Sequence, residues 1–128
     1  MLLGRSKKPS NRERNRIMQW NPPERDWKYV RSVRDDLLAA LCGRVNQESI
    51  NILKKGSASE HDKYLALYRH VQESDRIIAD CFNDLKRSNL IFKLAFLQYH
   101  GILKAEHVQR LSPETQEKLE ALKSLNNR

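Results

Sequence analysis

Residues 64–85 carry Tyr64, Leu67, Tyr68, Val71, Ile78, Cys81, Phe82 and Leu85 at the three- and four-residue spacing of a single helix face. That period keeps apolar side chains on one side of a helix and would scatter them over both faces of a strand. Asp75 is the one polar residue on the centre line of the stripe. The register continues through Asn89, Phe92, Phe96, Tyr99 and Leu103. It predicts a helix that either runs straight past Lys86-Arg87-Ser88 or restarts there with Ser88 as its cap. A second stripe, Trp27, Val30, Val33, Leu37, Leu38, Leu41, Cys42 and Val45, extends through Ser49, Ile52 and Leu53. It predicts a helix from about residue 23 to residue 55, with Gly43 and Asn46-Gln47-Glu48 leaving a break open.

Four glycines and four prolines in 128 residues cannot supply the turn every roughly 8–12 residues that a sandwich or barrel needs. The fold expected is therefore all-α: a compact four- to five-helix bundle over residues 23–128, preceded by a basic arm over residues 1–22. Boundary signals agree with this. Ser10-Asn11-Arg12-Glu13 has the form of a capping box, and Asn21-Pro22-Pro23 ends the short helix it would start. Lys54-Lys55-Gly56 closes the second stripe, and Ser59 with Asp62 caps the helix of the first. Gly101 fits the position just past a helix end, with Ile102 making the usual apolar contact. A short helix is expected over about 104–111. Ser112-Pro113-Glu114 opens a last helix whose Leu119, Leu122 and Leu125 suggest a weakly anchored lid or docking element. Leu90–Tyr99 is apolar nearly all round, so it reads as the central helix or as a face covered by a partner.

Charge is unevenly placed. The formal net charge is +8; residues 1–20 hold Arg5, Lys7, Lys8, Arg12, Arg14 and Arg16 against Glu13 alone, which is +5 and leaves +3 for the other 108 residues. A concentrated excess implies an acidic partner, where a uniform one would speak only of solubility. Arginine forks match phosphate oxygens in pairs, Gln19 can reach base edges or sugars, and Trp20 can stack on an unpaired base. Asn11–Trp20, with Arg12-Glu13-Arg14 ahead of Gln19-Trp20, resembles the arginine-rich peptides that bind RNA hairpins, including the antiterminator peptides of lambdoid phages. The resemblance spans ten residues and implies a binding style, with RNA contacted by a short basic helix. The other reading of the same residues has Ile17 and Trp20 packing on the bundle while the arginines face outward, and the two are compatible.

Other groups are less specific. Arg25, Lys28 and Arg31 are offset by Glu24, Asp26, Asp35 and Asp36, which reads as a solvated face. Lys86, Arg87 and Lys93 form a third, weaker basic group. Arg34 interrupts the first-numbered stripe, Trp27–Val45, as Asp75 interrupts Tyr64–Leu85; a buried pair would account for both, and exposure on the flanks is the alternative. Phe92–Leu111 has the helix, Gly turn and helix of a helix-turn-helix, but Gln109 and Arg110 are its sole base readers.

Signatures of catalysis are missing from the sequence: no Gly-rich phosphate loop, no HExxH and no Cys–His cluster at metal spacing. His61, His70, His100 and His107 are scattered, and Asp80 and Asp84 fall on the polar side of their helix. Cys42 and Cys81 are too few for a disulfide scaffold or a zinc site, so they read as free thiols of a reducing, intracellular compartment. No run reaches the roughly 18 apolar residues of a membrane span. The expectation is a non-enzymatic, cofactor-free accessory subunit that binds nucleic acid, RNA more than DNA, alongside a protein partner or a second copy. The alternative is a protein-interaction adaptor that docks through Leu90–Tyr99 or the C-terminal helix.

Overall fold

A computed structural model describes residues 11–126; Ser10, Arg5, Lys7 and Lys8 lie outside the described residues. These form six α-helices and one 3-10 turn, without a strand: α1 (Asn11–Gln19), α2 (Glu24–Leu53), α3 (Glu60–Phe82), α4 (Leu90–Tyr99), α5 (Ala105–Val108) and α6 (Pro113–Asn126). The all-α expectation holds.

α2 is unbroken over 30 residues, about 45 Å at 1.5 Å per residue. Gly43 is exposed, with open space where a Cβ would stand. It therefore costs the helix only about 1 kcal/mol in propensity, and packing on either side outweighs that. α2 ends at Leu53, and the Ser59 hydroxyl accepts the Asp62 N–H at 3.0 Å to start α3. The two helices form an antiparallel hairpin whose register is marked by His70 Nε2, 3.1 Å from the Val45 carbonyl. In that register Arg34 stands beside Phe82, its guanidinium 5.7 Å from the ring centre, and pairs with the adjacent Asp35 at 3.0 Å. Asp75 lies well over a turn away along the hairpin and is exposed. The buried Arg34–Asp75 pair is not formed, because the unbroken α2 puts the two on different levels.

α3 stops at Phe82, earlier than its apolar register. Asn83 is extended and Asp84 takes φ 57°, a left-handed conformation that Asp tolerates better than most residues. The turn is held by Asn89, whose Nδ2 donates to the Asp84 carbonyl at 2.7 Å and whose Oδ1 accepts the Lys86 N–H at 3.0 Å. Neither a continuous helix nor a Ser88 cap is present; Asn89 stands at the N-cap position of α4, but its side chain is spent on the turn before it and caps no N–H of the helix. Lys93 turns inward, its Nζ 2.9 Å from the Asp80 carbonyl and 3.4 Å from that of Ala79. A cation there meets the negative end of the α3 dipole, so Lys93 leaves the third basic group.

α4 is the centre of the bundle, with Leu90, Ile91, Leu94 and Leu97 buried between α3 and α6. Gly101 at φ 74° and the bonds Gly101 N–H to Gln98 and Ile102 N–H to Leu97 close it in a Schellman motif, with Ile102 buried. Arg44 donates to the His100 carbonyl at 2.6 Å from the side of α2. α5 has four residues, about 6 Å of helix, too short to lie along a major groove. The helix-turn-helix reading ends there. His107 is structural, its Nδ1 accepting the Lys104 N–H at 2.9 Å.

α6 begins as expected at Ser112-Pro113, but it is no loose lid. Leu119, Leu122 and Thr115 are buried and α6 packs on α4. Its anchor is Asp26, which the sequence places among solvated charges and the fold buries completely. Asp26 accepts the Ser112 N–H at 2.9 Å, the Ser112 hydroxyl at 2.7 Å and the Thr115 hydroxyl. A carboxylate is buried only where such partners replace water, and here it joins the first turn of α2 to the cap of α6.

The fully buried residues of α2 end at Leu41 and those of α3 begin at Ser74, which the His70–Val45 register sets level with each other. Past that level the hairpin extends beyond its support. Six of the eight large apolar side chains exposed among the described residues lie there: Ile50, Leu53, Tyr64, Leu65, Tyr68 and Val71. Two helices alone bury only the stripe between them, and the outer edge of the α3 stripe is left bare.

Both cysteines are free; Cys81 is fully buried and Cys42 half-buried. Burial, and next the charge of Asp80, pushes the Cys81 thiol up to about 11, while Lys93 pulls the other way. A thiol raised in the folded state favours folding below its unfolded value of about 8.5–9. That contribution is lost as pH climbs toward 11. The native protein at pH 8 is expected to lose Cys42 to a thiol reagent quickly and Cys81 only at the rate of unfolding. Alkaline titration should destabilise the wild type more than Cys81→Ala between pH 9 and 11; parallel curves would contradict the burial of this thiol.

Candidate nucleic-acid interface

α1 is polar apart from Ile17, Met18 and the Trp20 that follows it, so a nine-residue helix of this kind does not persist by itself in water. Tertiary contact holds it. Ile17 is 2% exposed and inserts beside Glu117, Lys118 and Ala121 of α6. The Trp20 N–H closes the last turn on the Ile17 carbonyl at 3.1 Å, and Pro22 is buried behind it. Trp20 is half-buried with the Lys118 ammonium 5.4 Å from its ring centre, a cation–π contact. This tryptophan seats the helix on the bundle, which leaves it less ring surface for a base.

With Ile17 turned in, Arg12, Arg14, Arg16 and Gln19 are exposed. Among the described residues none of the three arginines is in an ion pair, although Arg16 and Glu117 border the same groove. The result is a short helix with its cations presented and its orientation set by the core.

The fold also gathers basic residues that are far apart in sequence. Arg87 Nε donates to the Pro22 carbonyl at 2.9 Å, and its Nη1 lies 3.9 Å from Glu24. A residue of the α3–α4 turn thus braces the junction of α1 and α2. Lys28 pairs with Glu24 at 3.4 Å as an i,i+4 partner, the solvated-face pattern expected of it. Arg31 lies 5.7 Å from the centre of Trp27, and Arg25 Nε is 3.5 Å from buried Asp26. Asp26 is turned away from solvent, so it offsets this face less than its place in the sequence suggests.

Two of the contacts here carry no sequence signal, although Arg87 itself belongs to the third basic group. Arg87 reaches Pro22 across 65 residues, and Lys118 meets Trp20 across nearly the whole chain; neither pairing follows from spacing. No group of three or more His, Cys, Asp or Glu that could hold a metal is found among the described residues. His100 and His107 do not converge on a common ligand: one ring packs edge-on against Tyr99 at 5.1 Å and the other is spent on Lys104. Among the described residues no helix is long and apolar enough to cross a membrane. Comparison with known proteins finds no family, curated protein or solved structure to which this chain is similar.

Proposed function

We propose that this chain is a non-enzymatic, nucleic-acid-binding accessory subunit that contacts RNA, or RNA within a nucleoprotein assembly, through α1 and the basic residues ahead of it. The observation that carries the reading is the docking of α1 by Ile17, which leaves Arg12, Arg14 and Arg16 exposed on a helix that does not have to be ordered at binding. A helix already held loses less entropy on association than a free basic tail. Affinity comes from phosphate neutralisation, and the free thiols Cys42 and Cys81 suit a reducing compartment.

The test is a titration of single-stranded RNA over a salt series. With six cations engaged, log K is expected to fall with log salt at a slope of about −4. Replacing Arg12, Arg14 and Arg16 together by glutamine should halve that slope, with the thermal midpoint unchanged because these side chains are exposed. Equal slopes for the variant and the wild type would end the proposal. Duplex DNA as the preferred ligand would keep the arginine helix and overturn the choice of RNA.

A protein-interaction adaptor is the second reading. Leu90, Ile91, Leu94 and Leu97, with Leu119 and Leu122 of α6, are buried in the core, while Phe96 and Tyr99 of the Leu90–Tyr99 helix stay exposed. The overhanging half of the α2–α3 hairpin supports this second reading instead.

A further inference from the structure

We infer that the bare edge of α3 is a self-association surface: two copies of this chain pair through antiparallel α3 helices about a two-fold axis at Tyr68. This does not rest on the nucleic-acid reading. Tyr64, Leu65, Tyr68 and Val71 are 62%, 37%, 56% and 46% exposed. Spaced i, i+1, i+4 and i+7, they line one edge of the helix. They extend the stripe whose Ile78 and Phe82 pack inside the bundle, so the edge is apolar for a reason that the monomer satisfies over only half its length.

A symmetric interface must complement itself, each residue i meeting j while j meets i. The charges of α3 meet this condition about one point. With Tyr68 of one copy against Tyr68 of the other, His61 meets Asp75 and Leu65 meets Val71 along the facing edge, while Glu60 and Arg76, set about 80° to either side of Tyr68, lie on opposite flanks. In this register no two like charges within Glu60–Arg76 oppose each other. Glu60, His61, Asp75 and Arg76 are all exposed. The Glu60–Arg76 span is about 24 Å of helix. An antiparallel pair of that length, with the ends of both hairpins, is at the lower limit of specific interfaces, on the order of 1,000 Å². Self-association is therefore expected in the micromolar range.

The experiment is sedimentation equilibrium of the full chain, from about 1 µM to several hundred micromolar, read as conversion of a 15.1 kDa species to one twice that mass. Tyr68→Glu should hold the chain monomeric throughout, with its circular dichroism and thermal midpoint kept because the position is exposed. His61→Asp and Asp75→Lys should each weaken pairing by about tenfold, and the two together should recover most of it. A wild-type chain that stays monomeric over the whole range overturns the proposal. So does a dimer that Tyr68→Glu leaves intact, which would place the interface elsewhere. Loss in both single swaps without recovery in the double would refute the antiparallel register.

Discussion

Asp26→Ala is expected to destabilise the protein by about 3–5 kcal/mol, the range seen when one partner of a buried charged network is removed. The carboxylate is fully buried and serves three donors: the Ser112 N–H, the Ser112 hydroxyl and the Thr115 hydroxyl. Alanine leaves those donors in a dry site too small for well-bonded water, and each unmet donor costs about 1–3 kcal/mol. The Ser112 hydroxyl also accepts the Thr115 N–H at 3.3 Å, so its loss of orientation spreads to the first turn of α6. Asp26→Asn keeps the volume and one acceptor, and should lose about half as much. Urea unfolding of the three proteins measures this. A loss below about 1 kcal/mol for Asp26→Ala would show that α2 and α6 are joined by apolar packing alone.

Leu94→Ala should cost about 3 kcal/mol, whereas Phe96→Ala on the same helix should cost under about 1 kcal/mol. Leu94 is fully enclosed by the core, while Phe96 is 40% exposed beside Tyr99. The contrast separates the two readings of an all-apolar helix. If α4 were a face that waits for a partner, both truncations would be mild in the isolated chain. If it is the central helix, the two values should differ at least about threefold in the same denaturant series. Neighbouring α3 and α6 cannot close over the volume that Leu94 vacates without moving their own buried side chains, which is why the cavity persists.

Much of the local architecture was legible in the residues. The stops at Leu53 and Tyr99, the caps at Ser59 and Ser112 and the left-handed Gly101 all stem from short-range chemistry. The arginine helix, expected over Asn11–Trp20 and found over Asn11–Gln19, was legible for the same reason. Asp26 was not. It stands among Glu24, Arg25 and Lys28 as one more charged residue, and its partners are 86 and 89 residues away. Lys93 was likewise indistinguishable from a surface lysine until α4 folded back against the end of α3.

Residue order alone sets most of the helix ends, though not the end of α3 at Phe82, and also which side of each helix is apolar and that positive charge is concentrated ahead of Trp20. Those properties depend on neighbours within a turn or two. Which apolar faces are covered was settled by the packing of one helix on another. α4, about 15 Å long, lies within a bundle whose α2 runs about 45 Å, so the core closes at Leu41 and Ser74. The stripe from Tyr64 to Leu85 is buried at its C-terminal end and bare at Tyr64, Tyr68 and Val71. Periodicity records a preference for burial; whether burial happens is set by how far the other helices reach.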